Sequence, residues 1–321
     1  MPAFRTLALV LPLLLAPLAA QPQAYPARPI NFVVQYAAGS GADQLARMVA
    51  DAVTRANPAA NFVIRNTPGA LGVIGTTALV RSPADGYTVG ICSASINSIA
   101  TAINKSLPYD THTDFTFIDT LASYTYVVTA APELAFESLD ALIKQAAAKP
   151  GALSYVYANA TAQVLSAVLT KQLDLRALPV PYKSTAEGLA DVSQNRVSFA
   201  ITDVGSTMPM VRAGRVKPLA VMSARRSINL TDVPTLTELG KAPIQGVAWA
   251  GLCGPKNMPA EATAWLRTQL RKAKSETETL EKYKLLGLDP LELGNQSMND
   301  FVLAQSAFWT AAARDAGIKP E

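Results

Sequence analysis

The sequence predicts an α/β fold built on two sheets, and three observations carry that prediction. Strand-like runs alternate with helical ones from Tyr25 onward, the order that lays down a largely parallel sheet with helices on its faces. The chain has 321 residues, enough for two such sheets, each with its own core. No Pro/Gly/Ser-rich linker interrupts the alternation, which favours lobes joined by crossing strands over beads on a string.

The elements follow in order. Ile30-Asn31-Phe32-Val33-Val34 reads as a buried strand, and residues 43–55 carry apolar side chains at Leu45, Met48, Val49 and Ala52, a helical spacing. Asn61-Phe62-Val63-Ile64 is the next strand, 73–80 a short helix, and Tyr87 to Cys92 the third strand. Phe115-Thr116-Phe117-Ile118 and Tyr126-Val127-Val128-Thr129 are further strands. A helix over 138–148 is stopped by Pro150-Gly151. Then come a strand at 154–157, a helix at 162–173, an extended piece at 178–182, a helix at 185–193 and strands at 197–201, 219–222 and 247–253. Two strong helical stretches, 260–275 and 299–316, close the chain.

The first stretch stands apart from this fold. Arg5 precedes the apolar run Leu7-Ala8-Leu9-Val10-Leu11-Pro12-Leu13-Leu14-Leu15, with small residues at Ala19 and Ala20. A run of roughly ten apolar residues is too short to span a bilayer and suits a secretory signal peptide cleaved near Ala20, so the mature protein is expected to be exported. The expected signal region is 1–24.

Composition excludes several function classes. Half the residues are hydrophobic and 16% are charged, which argues against disorder. The net charge of +4, from 28 basic and 24 acidic residues, comes without a dense Lys/Arg block, so no nucleic-acid partner is expected. One histidine, His112, and two cysteines, Cys92 and Cys253, leave no zinc site or disulfide framework. The two thiols are expected to be buried and free rather than paired. No nucleophile elbow, paired-carboxylate or metal-ligand pattern emerges, so neither catalysis nor a cofactor is expected.

In open α/β sheets, ligands sit beyond the carboxyl ends of the strands, near helix N-termini. The first strand leads into Tyr36-Ala37-Ala38-Gly39-Ser40-Gly41, where the helix start can hold an anion, or Ser40 and Asp43 can simply cap it. The second strand leads into the shaped loop Pro68-Gly69-Ala70-Leu71-Gly72. Ser93, Ser95 and Asn97 follow the third strand. Asn159-Ala160-Thr161-Ala162 forms a second candidate anion nest, and Asp203 ends a later strand, either as a helix cap or as an acceptor for an amine, amide or hydroxyl.

Seven motifs then fall in register with a known family. Tyr25-Pro26-Ala27-Arg28-Pro29-Ile30, Asn66-Thr67-Pro68-Gly69-Ala70-Leu71-Gly72, Asp85-Gly86-Tyr87-Thr88 and Leu107-Pro108-Tyr109-Asp110 with Asp114-Phe115 come first. Val180-Pro181-Tyr182-Lys183, Asp232-Val233-Pro234-Thr235 and Trp249-Ala250-Gly251-Leu252 complete the set. The chain resembles the Bug-type extracytoplasmic solute-binding receptors of tripartite tricarboxylate transporters. It departs from their pattern at Gln35-Tyr36, where Pro-Phe is preferred, and in a middle loop without the usual glycines.

The resemblance implies a two-lobed periplasmic-binding-protein-like fold of type II, with a ligand cleft between the lobes. Lobe 1 is expected to comprise 25–122 plus 223–321 and lobe 2 to comprise 123–222. The implied function is capture of a small organic carboxylate, a dicarboxylate or an aromatic carboxylate by preference, and its delivery to membrane transporter subunits by a monomeric receptor. An exported carboxylate sensor and an exported α/β hydrolase are the alternatives. The ligand-binding candidates are Tyr36, Ala37, Ala38, Gly39, Ser40, Gly69, Ala70, Ser93, Asn159, Ala160, Thr161, Ala162 and Asp203.

Overall fold

The computed structural model describes residues 25–132, 137–244, 246–294 and 296–320; the expected signal peptide lies outside them. The chain opens with β1 (Ile30–Val34), α1 (Gly41–Ala56), β2 (Phe62–Asn66), α2 (Val73–Val80) and β3 (Thr88–Ser93). A π-helical turn over Ala94–Ile99 leads into α3 (Ala100–Ile103), β4 (Phe115–Tyr124) and β5 (Tyr126–Ala130). The middle holds α4 (Leu139–Ala148), β6 (Ser154–Tyr157), α5 (Ala160–Gln172), β7 (Leu178–Pro181), α6 (Thr185–Ser193), β8 (Phe199–Asp203), α7 (Val204–Arg212) and β9 (Lys217–Val221). The chain finishes with β10 (Trp249–Pro255), α8 (Ala260–Ser275), α9 (Thr277–Leu285), β11 (Leu288–Pro290) and α10 (Met298–Asp315).

These strands form two sheets. One has six strands in the order β11-β4-β10-β3-β1-β2, the other five in the order β7-β6-β8-β5-β9. The sheets are mixed, where the sequence suggested mostly parallel ones. β1 runs parallel to β2 and β3, but β10 lies antiparallel to both β3 and β4. In the second sheet β6 is parallel to β7 and β8, and β5 is antiparallel to β8 and β9. The reversed strands are those that flank the passages between the sheets. A buried strand reads as a continuous apolar run whichever way its neighbour points.

The chain crosses between the sheets twice, and the crossings touch. Thr125 joins β4 to β5, and the segment from β9 to β10 returns beside it, with Tyr124 N–H donating to Ala248 O at 2.7 Å and Met222 N–H to Tyr126 O at 2.8 Å. One hydrophobic core continues across the junction, from Val33, Cys92 and Trp249 on the six-stranded side to Val128, Phe199 and Ile201 on the other. α10 seals it, burying Phe301, Val302 and Trp309 against the π-helical turn and α5. A second core packs α1 and α8 on the outer face of the six-stranded sheet through Leu45, Val49, Leu266 and Leu270. Cys92 and Cys253 are buried in this sheet as free thiols. No described helix is long and apolar enough to cross a membrane.

Candidate functional site

A cavity of about 120 Å³ lies between the sheets, at the carboxyl ends of their parallel strands. The first lobe lines it with Tyr36, Ala37, Ala38, Gly39, Ser40, Ser93 and Ser95, and with Tyr124 and Trp249 from β4 and β10. The opposite wall comes from Tyr126, Asn159, Thr161, Asp203 and Ser206, with Lys183, Ser184, Thr185 and Ala186 at the start of α6.

Four helices of eight or more residues begin on this cavity: α1, α5, α6 and α7. Each has a short polar N-cap that takes one first-turn N–H. Ser40 Oγ accepts from Asp43 N, Asn159 Oδ1 from Ala162 N, Ser184 Oγ from Glu187 N and Asp203 Oδ1 from Ser206 N. Aligned N–H groups and helix dipoles give all four openings a positive potential.

The first loop is held rigidly. Asp43 is buried and accepts from Gly39 N at 2.9 Å and Asn66 Nδ2 at 2.9 Å, while pairing with Arg47 at 3.0 Å. Burial alone would raise its pKa, but Arg47, Gly39 and Asn66 outweigh it and hold the carboxyl below its ordinary range. Gly39 turns at φ 80°, a left-handed conformation that favours glycine. Asn66 Nδ2 also donates to Tyr36 O at 3.1 Å, tying this loop to the end of β2.

The wall carries polar atoms with no partner among the described residues. Tyr36 OH, Ser93 Oγ, Tyr124 OH and Ser206 Oγ are all buried and unbonded. Leaving a buried polar group unpaired costs about 1–3 kcal/mol, so four in one cavity mark a surface made for a polar guest. Burial raises the Tyr36 hydroxyl's pKa, softened by the nearby hydroxyls of Ser95 and Ser93. Burial, and then the charge of Asp203, pushes Tyr124 and Tyr126 well above the usual phenol range. Asp203 is itself pushed up by burial, against the bond from the Ser206 N–H.

Two contacts cross the cleft. Ser95 Oγ and Thr161 Oγ1 stand 2.8 Å apart, and Thr161 N–H donates to Ser95 Oγ at 3.1 Å. Asp203 lies against the start of α1, so closely that a Cβ on Gly41 would stand 2.7 Å from Oδ1.

The structure brings Tyr36, Ala37, Ala38, Gly39, Ser40, Ser93, Asn159, Thr161 and Asp203 together on one cavity. It places Ala160 and Ala162 with their side chains in the core. Gly69 and Ala70 lie outside the lining. Their loop instead backs Tyr36 through Gly72, where a Cβ would stand 3.4 Å from the tyrosine hydroxyl. Lys183 to Ala186, Tyr124, Tyr126, Ser206 and Trp249 were not among the candidates. The Lys183-Ser184 step was findable, since it follows a strand and precedes a helix just as Ser40 does.

Two α/β lobes joined by adjacent crossings, with a polar cavity walled by both, are the architecture of solute-binding receptors. The sequence motifs already pointed to one family of these. The chain belongs to that family, the tripartite tricarboxylate transporter family receptors (TctC), whose profile matches residues 45–318. Protein BugT of Bordetella pertussis is 27% identical over 298 residues, covering 92% of this chain and 91% of BugT. Among solved structures, R. palustris Rpa4515 with adipate superposes with a TM-score of 0.88 at 28% identity, covering 92% of this chain and all of that one. The periplasmic binding protein BugD superposes with a TM-score of 0.85 at 26% identity, again over 92% of this chain and all of BugD.

Proposed function

We propose that this protein captures a small organic carboxylate between its lobes in the periplasm, without turning it over, and delivers it to the membrane subunits of a tripartite tricarboxylate-type transporter. The observation that carries this reading is the convergence of four helix N-termini and Lys183 on one cavity whose described lining residues include a single carboxylate, Asp203. Such a surface attracts anions. The similarity to a receptor solved with adipate supports a carboxylate ligand.

The energetics are adequate. A charge-assisted hydrogen bond contributes roughly 1.5–3 kcal/mol net, and micromolar binding needs about −8 kcal/mol. A few such bonds reach that value after ordering costs. Lobe 1, formed by 25–122 with 223–321, and lobe 2, formed by 123–222, would then rotate about the paired crossings. The closed state is what a membrane partner would recognise.

The test is the thermal shift of the mature protein against mono-, di- and tricarboxylates and amino acids, because a ligand of the folded state raises the melting temperature by mass action. A shift confined to acids supports the reading. A well-folded, ligand-free protein that shifts with none of them refutes it.

A further inference from the structure

The four helix N-termini on the cavity are not equally free to meet an anion. At α1, the Gly41 and Ala42 N–H groups have no partner among the described residues, but the Asp203 carboxylate of the opposite lobe lies against Gly41. At α5, the Thr161 N–H is taken by Ser95 Oγ at 3.1 Å. At α7, Val204 N–H donates to Thr125 O at 2.9 Å and Ser206 N–H to Asp203 at 2.8 Å.

The start of α6 is the least covered. Ser184 takes Glu187 N–H at 3.2 Å, and the N–H groups of Thr185 and Ala186 have no partner among the described residues. Lys183, immediately before them, lines the cavity without an ion pair or hydrogen bond among the described residues. Ser93, whose residue exposure is 8%, supplies an unpartnered Oγ to the same cavity.

Lys183 and Asp203 are the two charged side chains among the described lining residues. Lys183 follows β7 and Asp203 ends β8, parallel strands separated in the sheet by β6. Two strand spacings put these ends roughly 10 Å apart. Around Asp203 the lining is acceptor and hydroxyl, with Tyr124 OH unbonded beside it.

We propose that the cleft is polarised: the ligand's carboxylate sits on Lys183 and the first turn of α6, and Asp203 reads a hydrogen-bond donor at the other end. The ligand class is a monocarboxylate bearing a hydroxyl or amino group, aliphatic or aromatic. A dicarboxylate would set its second anion against Asp203, a repulsion with no cation beside it among the lining residues. This assignment rests on the carboxylate reading and narrows it.

Isothermal titration of the mature protein at neutral pH tests it with matched probes: hexanoate, 6-hydroxyhexanoate, 6-aminohexanoate and adipate, then benzoate and 4-hydroxybenzoate. Within at least one series, the donor-bearing acid should bind about tenfold more tightly than its donor-free partner, the scale of one charge-assisted hydrogen bond, and the donor-bearing hexanoates should exceed adipate. Lys183→Gln, an exposed change, should weaken every acid that binds by about tenfold. Asp203→Asn, which keeps a good helix cap, should erase the donor preference and strengthen adipate. Adipate as the tightest ligand of wild type, a donor preference that survives Asp203→Asn, or indifference to Lys183→Gln would each overturn the assignment. If none of these probes binds while other acids in the thermal panel do, the assignment fails and the carboxylate reading stands. If no acid of either panel binds, both fail.

Discussion

Ser95→Ala should open the unliganded protein. Ser95 and Thr161 are 5% and 3% exposed, and they join the two lobes through one hydroxyl pair at 2.8 Å and one N–H bond at 3.1 Å. Removing Oγ orphans a buried backbone N–H and a buried hydroxyl. Each costs about 1–3 kcal/mol if it stays dry, so holding the closed form costs roughly 2–6 kcal/mol. Parting the lobes lets water satisfy both groups, and the protein escapes the cost without unfolding. If even about 2 kcal/mol reaches the open–closed equilibrium, ligand affinity falls about 30-fold, because binding must supply the closure. Thr161→Val keeps the N–H bond and loses only the hydroxyl pair, so its effect should be near 1 kcal/mol. Small-angle scattering of the unliganded variants, with titration of whichever acid the panel selects, measures both consequences. A Ser95→Ala protein with the wild-type radius of gyration and a lowered melting temperature would refute the reasoning, for the pair would then be ordinary core.

Three further outcomes are expected. Burial raises the Asp203 pKa, so the folded state holds that proton more tightly than the unfolded chain does. The resulting stability is present below the ordinary carboxylate pKa near 4 and is lost as pH rises through the folded value. Asp203→Asn should therefore melt higher than wild type at neutral pH, with the gap closing toward pH ~4 in a melting series. Gly205→Val places a Cβ 2.6 Å from Leu286 O, a backbone atom that cannot move aside without shifting the approach to β11. It should destabilise by about 1–3 kcal/mol in denaturant titration. Lys274 is 4% exposed, donates to Thr120 O at 2.9 Å and pairs with Glu292 at 2.9 Å, so Lys274→Ala should lose about 1–3 kcal/mol in the same assay.

Much of this architecture is legible in the chain. The 3.6-residue spacing of Leu45, Met48, Val49 and Ala52 marks α1, and the glycines after β1 mark the loop that meets the cavity. Strand direction is not legible, because β5 and β10 are buried throughout and such runs carry no sign of a neighbour's polarity. α7 hid behind Gly205 and Pro209, poor helix formers that tertiary packing overrides. The π-helical turn hid in a Ser/Asn-containing stretch that resembles a loop. In the site, Tyr124 and Tyr126 look like core residues of strands. The Ser95–Thr161 bond joins positions 66 apart, and local pattern holds no trace of such pairings. Lys183 follows a short Pro-rich extended piece and reads as solvent-facing until the sheet order places β7 beside β6.

The position of β10 has a consequence for how the molecule is made. This strand is laid down late in the chain yet lies between β3 and β4 in the middle of the six-stranded sheet. Until it is added, β3 and β4 each present a buried, apolar edge with an unpaired row of backbone groups, the kind of edge that recruits other chains. A chain that stops before Trp249 therefore lacks a central strand, not a dispensable tail. The same strand brings Trp249 to the cavity, so a ligand finds a complete wall only on a protein whose C-terminal part has been synthesised and inserted. Ligand protection against proteolysis would accordingly report completeness of the chain as well as closure, and nascent or truncated copies would be left to degradation.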